Sequence, residues 1–328
     1  MRVIIVKSVM WHLIILLAGF VPLIYGADLL VDYASALAKK LNIPNIVIGL
    51  TIVAFGTSAP ELVVNVFASL EHNSAIALGN ILGSNIFNIG GILAVSAIIT
   101  PLAVRNSTTW IEIPLALLAG IVVFALANDK LIDGSEISSL SRIDGIVLLI
   151  FFVIFLVYNF TLIKKGGFTD EVSVKDVAPW KATLLVIAGL VLLVAGGRVI
   201  VYGAIEVASR LGISERVIGL TIVSIGTSLP ELATSIVAAR KKNFDIAIGN
   251  VVGSNIFNIF FILGVSATIY PVSVQPGSNI DILMNILLGL IVFVFIFTGK
   301  EKWIDRKEGI VMLLIYLGYL GYLIAIPA

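Results

Sequence analysis

The sequence predicts an all-α membrane protein with ten transmembrane helices, arranged as two inverted five-helix repeats whose helices are broken near the middle of the membrane. Its composition, the length of its apolar segments and an internal duplication predict this fold. Hydrophobic residues make up 59% of the 328 residues and charged residues 12%, whereas soluble domains carry about 25% charge. The mean hydropathy is +1.12. So little charge cannot cover a soluble globule of this size, so the chain is expected to cross a lipid bilayer several times.

The same counts exclude several classes of function. Lysine and arginine together number 21, and aspartate and glutamate 20, so no bulk field attracts nucleic acid. The chain has no cysteine and only two histidines, which excludes disulfides, thiolate catalysis and metal sites rich in cysteine or histidine. We expect neither an enzyme nor a bound cofactor. No protein partner is predicted, and a monomer would suffice.

Ten apolar segments are long enough to cross the hydrocarbon, which takes about 20 helical residues. The first is interpreted as a retained span rather than a signal peptide, because its apolar character continues through Ala27–Val31. The second and seventh segments share one motif, and the third and eighth share another. The predicted spans are residues 9–38, 43–70, 75–99, 110–128, 143–163, 182–208, 213–239, 245–270, 281–298 and 308–327.

The shared motifs show that the two halves are copies. GLTIVAFGTSAPEL at Gly49–Leu62 recurs as GLTIVSIGTSLPEL at Gly219–Leu232, and GNILGSNIFN at Gly79–Asn88 recurs as GNVVGSNIFN at Gly249–Asn258. Five spans per copy is an odd number, so the second copy must enter the membrane upside down, as in many secondary transporters. The predicted units are a first repeat at 1–163, a cytoplasmic linker at 164–181 and a second, inverted repeat at 182–328.

Charge asymmetry between the loops predicts the orientation. Fourteen lysines and arginines fall on the side that holds the linker, and six fall on the side that holds the N-terminus. By the positive-inside rule the linker side is cytoplasmic. The protein is therefore expected in the cell membrane with both termini extracytoplasmic.

Glu61 and Glu231 are the only acidic residues at equivalent positions of both copies, and each lies well inside a predicted span. A carboxylate near the bilayer centre costs roughly 2.5–3.5 kcal/mol, so each one suggests a function. Each follows a proline, Pro60 or Pro230, which interrupts helix hydrogen bonding in the preceding turn. Free backbone at membrane depth is tolerated where it lines a cavity, so the two breaks predict a central site.

Oxygen atoms dominate the side chains near these glutamates. Thr57 and Ser58 precede Glu61 by four and three residues and are predicted to share its helix face. An oxygen-only set suits hard cations, above all Ca²⁺, which takes about six to eight oxygens. Two ionised glutamates would balance the charge of one Ca²⁺. Two or three Na⁺ could occupy the same oxygens, so Na⁺ and Ca²⁺ could not be bound together. An antiporter needs this mutual exclusion. The first motif offers Ala54, Thr57, Ser58 and Glu61 in the first copy, and Ser224, Thr227, Ser228 and Glu231 in the second. The second motif offers one helix face with Asn80, Ser84 and Asn88, and its copy with Asn250, Ser254 and Asn258.

The two signatures, G-T-S-x-P-E-L and G-N-x-x-G-S-N-I-F-N, resemble the α-repeats of the sodium/calcium exchanger family, within the cation/calcium antiporter superfamily. The resemblance covers the whole chain, in the compact prokaryotic form without a large regulatory domain. It implies that Glu61 and Glu231 bridge Ca²⁺, that the threonine and serine hydroxyls help ligate Na⁺, and that the first and sixth spans slide across the other eight. It also implies that the ligands in the second motif are Ser84, Asn88, Ser254 and Asn258. Some relatives carry an aspartate at one of the positions matching Asn88 and Asn258. Here both are amides, which leaves open the ion stoichiometry and any need for K⁺ or H⁺.

Exchange of Na⁺ for Ca²⁺ is the leading hypothesis, and it would be electrogenic if three Na⁺ replaced one Ca²⁺. Within the same class, the alternatives are Ca²⁺/H⁺ exchange and K⁺-dependent Na⁺/Ca²⁺ exchange. Outside it are an intramembrane carboxylate protease, which the oxygen-rich helix breaks disfavour, and a passive Ca²⁺ channel, which the inverted repeats disfavour. The remaining acids inside or near the spans are expected to be solvated or to cap helices: Asp28, Asp32, Glu206 and Asp245.

Overall fold

A computed structural model of the chain describes residues 2–132, 134–165, 175–210, 224–275, 277–298 and 302–325. Its α-helices, numbered in chain order, are α1 (Arg2–Lys40), α2 (Asn45–Ile48), α3 (Ala54–Thr57), α4 (Ala59–Leu70), α5 (Ser74–Phe87), α6 (Ala94–Ile99), α7 (Ile113–Leu126), α8 (Asp129–Ile132), α9 (Arg142–Lys165), α10 (Pro179–Arg210), α11 (Ser224–Thr227), α12 (Leu229–Arg240), α13 (Phe244–Ile256), α14 (Gly264–Ile269), α15 (Ser278–Phe295) and α16 (Arg306–Ala325). Wider π-helical turns occur at Gly49–Val53, Asn88–Leu93, Thr108–Glu112 and Phe257–Leu263.

Within the described ranges, seven helices are long and apolar enough to cross a membrane, or up to eight if the bent pair Asn45–Thr57 and Ala59–Leu70 forms one span. These segments match the first six predicted spans and the eighth and ninth. The seventh, 213–239, lies partly outside the described residues, and the tenth corresponds to α16. Most of the predicted linker, 164–181, also lies outside them. The total of ten spans and the inversion of the repeats therefore stay predictions.

The two helices that carry the Gly-Asn motif form the centre of the molecule. In their most apolar stretches, 83% of the residues of Ser74–Ile99 and 94% of those of Phe244–Ile269 are buried. Small residues permit this close packing, because a Cβ atom added at Gly253 would lie 2.8 Å from the Leu50 Cα. Both helices widen into a π-helical turn near their middle, a distortion frequently found at functional sites.

α1 and α10 pack against each other through glycines. A Cβ atom at Gly26 would lie 2.7 Å from the Gly189 carbonyl oxygen, and one at Gly196 would lie 2.6 Å from the Leu23 backbone nitrogen. Glycine alone allows two helix backbones to approach so closely, as is common between membrane helices. The first and sixth predicted spans are therefore direct partners.

Three of the acids expected to be solvated or to cap helices form ion pairs, and the Asp28 side chain is also 47% exposed. Lys241, in the turn after α12, places its Nζ atom 2.5 Å from Asp32 Oδ1 and 2.9 Å from Asp28 Oδ1, both on α1. Arg105 Nε lies 2.7 Å from Asp245 Oδ2 at the start of α13. The partners come from distant parts of the chain, so local sequence patterns did not indicate them.

Two short antiparallel strand pairs connect loops of the two halves. Strand β1 (Leu102–Ala103) pairs with β4 (Trp303–Ile304), and β2 (Ser139–Leu140) pairs with β3 (Val272–Ser273). Each pair joins one loop from the first half to one loop from the second.

Candidate cation site

The span that carries Glu61 is broken where the proline predicts it. Ser58 separates α3 from α4 with φ −81° and ψ 7°, and the helix axis bends by 50° there. Pro60 lies in the first turn of α4, where no N–H donor is required. The Ala54 carbonyl still accepts from the Ser58 N–H at 3.0 Å, and the Thr57 hydroxyl lies 3.3 Å from it. Ser228 repeats the break before α12, with φ −92° and ψ 11°.

Glu61 and Glu231 meet at the interface between the two halves. They are 0% and 1% exposed, and they are close enough for their charges to repel. The Ser228 hydroxyl donates to Glu61 Oε1 at 2.9 Å, and the Ser58 hydroxyl donates to Glu231 Oε1 at 2.8 Å. Each serine therefore donates a hydrogen bond to the glutamate of the other half. Spacing alone predicts that Ser58 shares the face of Glu61, but the break at Ser58 ends the regular helical periodicity between them.

Ser84 and Ser254, from the second motif, lie beside the two carboxylates. The Ser84 hydroxyl is 3.1 Å from the Ser228 hydroxyl and 3.5 Å from Glu61 Oε1. Ser254 is 0% exposed and lies near the Glu231 carboxylate. Its hydroxyl makes no hydrogen bond to the described residues. The second motif therefore contributes hydroxyl oxygens to both glutamates.

Four buried acceptor oxygens of the predicted site have no hydrogen-bond donor among the described residues. They are Glu61 Oε2, Glu231 Oε2, Asn88 Oδ1 and Asn258 Oδ1. A buried acceptor without a partner costs about 1–3 kcal/mol, and more when it is charged. Carboxylate and amide oxygens are the ligands that hard cations prefer.

The remaining predicted residues take different positions. The Thr57 hydroxyl is 3.1 and 3.3 Å from carbonyls of its own helix and 3.1 Å from Asn250 Oδ1, so here it bonds within the protein. Thr227 is half-buried and lies near the carboxylate of the first half. Ser224 is the first residue of α11, and its side chain lies outside the described part of the structure.

A second layer of amides and hydroxyls supports the site. Asn250 Nδ2 donates to Ser235 Oγ at 2.9 Å and to the Glu231 carbonyl at 3.2 Å. Asn80 Nδ2 donates to Asn65 Oδ1 at 2.7 Å. Sequence reasoning missed Asn65 and Ser235. Their signal is that both are polar, lie in apolar spans and occupy equivalent positions of the two copies.

The chemistry available here is that of buried oxygen ligands. Across the described ranges, no group of three or more histidine, cysteine, aspartate or glutamate residues could hold a metal, so a cation would depend on two carboxylates and neutral oxygens. The carboxylates and the amide oxygens beside them are buried. Solvent therefore does not reach these oxygens in the described arrangement.

Comparison with known proteins identifies the family. Residues 11–161 and 181–325 match the family described as sodium/calcium exchanger protein. The putative antiporter CaxA of Alkalimonas amylolytica is 39% identical over 316 residues, which cover 93% of this chain and 96% of that protein. The sodium/calcium exchanger MaX1 of Methanosarcina acetivorans is 35% identical, with 94% of this chain and 97% of that protein covered.

A solved structure agrees with the sequence relatives. The sodium-calcium exchanger NCX_Mj, soaked with 10 mM Na⁺ and zero Ca²⁺, superposes with a TM-score of 0.81 and 33% identity over 96% of this chain and 99% of that one. Similarity extends over nearly the full length of each protein. The chain therefore belongs to the sodium/calcium exchanger family, a family of multi-pass membrane transporters.

Proposed function

We propose that the chain exchanges Na⁺ for Ca²⁺ across the cell membrane by alternating access, with net movement of charge. The observation that carries this proposal is the meeting of Glu61 and Glu231, both buried, each with one oxygen that has no donor among the described residues. Two carboxylates balance one Ca²⁺, and the neighbouring neutral oxygens can complete its coordination. Relatives named as an antiporter and as sodium/calcium exchangers support the same activity.

The serine hydroxyls suit a site that must bind Ca²⁺ and Na⁺ in turn. A hydroxyl can donate its hydrogen or offer its oxygen lone pairs. As described, Ser58 and Ser228 donate to the glutamates, which satisfies part of the carboxylate charge. When a cation binds, the same hydroxyls can rotate and present their oxygens to it. Ca²⁺ and Na⁺ would then compete for one set of ligands, so that one load leaves before the other binds.

The packing of α10 supports the proposed movement of the first and sixth spans. A Cβ atom at Gly56, in α3, would lie 2.5 Å from Leu190, and one at Gly226, in α11, would lie 2.2 Å from Val201. Leu190 and Val201 both belong to α10. This helix therefore covers both broken segments, and moving it together with α1 would uncover the site.

We also propose ten spans in two inverted repeats with both termini extracytoplasmic, and the strand pairs support the inversion. Strands β1 and β2 flank α7, which is part of one segment long and apolar enough to cross the membrane, and a crossing there would put the two strands on opposite sides. Strand β3 pairs with β2 and β4 with β1. Because β3 is the equivalent of β1 in the second copy, equivalent strands fall on opposite sides, as inverted repeats require.

The test is ⁴⁵Ca²⁺ uptake into proteoliposomes with imposed Na⁺, K⁺ and pH gradients. An outward Na⁺ gradient is expected to drive uphill Ca²⁺ uptake. We expect Glu61→Gln and Glu231→Gln to reduce uptake by about 30-fold or more, because losing one member of a buried charged set costs at least about 2 kcal/mol. Glu71→Gln is the matched control, since Glu71 is exposed in the turn after α4 and should behave as wild type.

The same experiment separates the alternatives. Uptake that ignores Na⁺ and follows the pH gradient would indicate Ca²⁺/H⁺ exchange, and uptake that requires K⁺ would indicate the K⁺-dependent form. A potential set by a K⁺ ionophore should change the rate if charge moves, by up to about 2.3 kcal/mol per charge per 100 mV. Downhill flux alone, with no coupling to any gradient, would contradict antiport.

A further inference from the structure

Asn85 and Asn255 lie three residues before Asn88 and Asn258 in the second motif, and they are not among the predicted ion ligands. They are 0% and 3% exposed. They belong to α5 and α13, the two central helices, and they meet across the interface between the halves. Their contacts decide which atom the other two asparagines turn toward the site.

The main chain fixes the orientation of Asn85 and Asn255. Asn85 Nδ2 donates to the Asn255 carbonyl at 3.2 Å, and Asn255 Nδ2 donates to the Asn85 carbonyl at 3.4 Å. A carbonyl oxygen can only accept, so the NH₂ group of each amide must face it. The Oδ1 atom of each amide therefore points the other way.

These Oδ1 atoms in turn fix the orientation of Asn88 and Asn258. Asn88 Nδ2 lies 2.9 Å from Asn255 Oδ1, and Asn258 Nδ2 lies 3.0 Å from Asn85 Oδ1. A flipped amide would place two acceptor oxygens in contact, which is repulsive. With Nδ2 held in this way, the atoms left over are Asn88 Oδ1 and Asn258 Oδ1, both buried and without a donor among the described residues.

We propose that Asn85 and Asn255 are positioning residues that act in a crossed manner. Asn85 holds the amide of Asn258, and Asn255 holds the amide of Asn88, so that each presents its oxygen to the transported cation. Neither positioning residue touches the cation itself. This inference rests on the proposed function, because it assigns Asn88 and Asn258 to ion binding.

A pair of double-mutant cycles tests the crossed assignment, because residues that act through one another are not additive. The readout is the KM for Ca²⁺ and the maximal rate of Na⁺-driven ⁴⁵Ca²⁺ uptake, with thermal unfolding of each purified variant. Asn85→Ala is expected to raise KM about tenfold, the low end of the effect of removing a residue that orients a metal ligand, with a smaller change in maximal rate. Adding Asn85→Ala to Asn258→Ala should change KM by less than about twofold.

The matched control uses the asparagine of the same half. The Asn88 N–H donates to the Asn85 carbonyl, and an alanine at either position keeps that bond. The side-chain bonds of Asn85 go to Asn255 and Asn258 and not to Asn88, so Asn85→Ala combined with Asn88→Ala should give about the product of the two single effects. The reciprocal cycles, Asn255→Ala with Asn88→Ala and with Asn258→Ala, repeat the test from the other half should Asn85→Ala fail to fold. Additive losses in both crossed pairs would overturn the assignment while leaving exchange intact. Absence of Na⁺-driven uptake in the wild type would contradict the proposed function itself, and with it the assignment of Asn85 and Asn255.

Discussion

The Ser58 and Ser228 hydroxyls link the two halves, because each donates one hydrogen bond to the glutamate of the other half. A hydrogen bond to a charged group contributes about 1.5–3 kcal/mol, and each of these bonds is buried. We expect Ser58→Ala and Ser228→Ala to slow exchange about tenfold and to raise the Na⁺ concentration for half-maximal exchange, because each variant removes both a donor to a glutamate and an oxygen for the cation. Na⁺ titration of ⁴⁵Ca²⁺ efflux from proteoliposomes measures both quantities.

Ser96→Ala is the control for these serine variants. Ser96 is fully buried in α6, and its hydroxyl has no hydrogen bond to either glutamate. Its loss tests packing alone and should leave the Na⁺ dependence unchanged. An equal shift in Ser96→Ala would mean that the serine effects come from packing rather than from the site.

The sequence allowed the central acids to be predicted, but not their partners. Glu61 and Glu231 are acidic at equivalent positions inside apolar spans, and the cost of a charge in the bilayer makes that pattern informative. Which glutamate Ser58 serves depends on the bend at the helix break and on how the two halves meet. The crossed bonds of Asn85 and Asn255 depend on the same interface. A local spacing rule cannot supply such contacts.

At the scale of elements, the prolines in the sequence predicted the helix breaks. No residue pattern predicted the π-helical turns. Pro60 and Pro230 each remove a backbone donor, so their helix breaks follow from covalent chemistry. The π-helical segments at Asn88–Leu93 and Phe257–Leu263 contain no residue that forces them. They arise where the two most buried helices pack against their neighbours, and that packing is a tertiary property.

The glycine contacts between α1 and α10 give a stability prediction. A Cβ atom at Gly196 would lie 2.6 Å from the Leu23 nitrogen and 2.8 Å from the Gly19 carbonyl oxygen, so the two backbones must separate to admit it. We expect Gly196→Ala to destabilise the protein by about 1–3 kcal/mol, as overpacking usually does. Thermal unfolding in detergent measures the effect.

Gly318→Ala is the matched substitution for the glycine test. Gly318 lies in α16, and an added Cβ atom meets no described atom within 4 Å. It should be neutral or slightly stabilising, because alanine is favoured over glycine by about 1 kcal/mol within a helix. If both variants lowered the unfolding temperature equally, the close approach of α1 and α10 would not be what limits residue size at Gly196.

At the scale of the whole molecule, the halves are interdependent because both glutamates accept a hydrogen bond from across their interface. The serine bonds, the asparagine bonds and the two strand pairs all run from one copy to the other. A single copy would leave Glu61 without the Ser228 hydroxyl and Glu231 without the Ser58 hydroxyl. Such reciprocity is expected when a duplicated segment meets its copy about a two-fold axis.

That symmetry predicts the membrane topology residue by residue. Glu71 follows α4 and Arg240 ends α12, so they lie in equivalent turns of the two copies, and both are exposed. The proposed inverted arrangement would place them on opposite faces of the membrane. Because the chain has no cysteine, Glu71→Cys and Arg240→Cys each carry a single thiol without further engineering. In intact bacterial cells, we expect a membrane-impermeant maleimide to label Glu71→Cys and to label Arg240→Cys only after permeabilisation.

Two further positions calibrate the labelling. Ile137, 74% exposed in the loop before β2, should react from outside, and Leu41, 51% exposed in the turn after α1, should be protected. We expect Leu41 and Arg240 to be cytoplasmic because lysine and arginine are in excess on their side, and translocating those charges across the membrane is unfavourable. Labelling of Glu71→Cys and Arg240→Cys from the same face would mean that the copies are parallel. A two-fold axis in the membrane plane could then not relate the two glutamates, and the reciprocal serine bonds would need another origin.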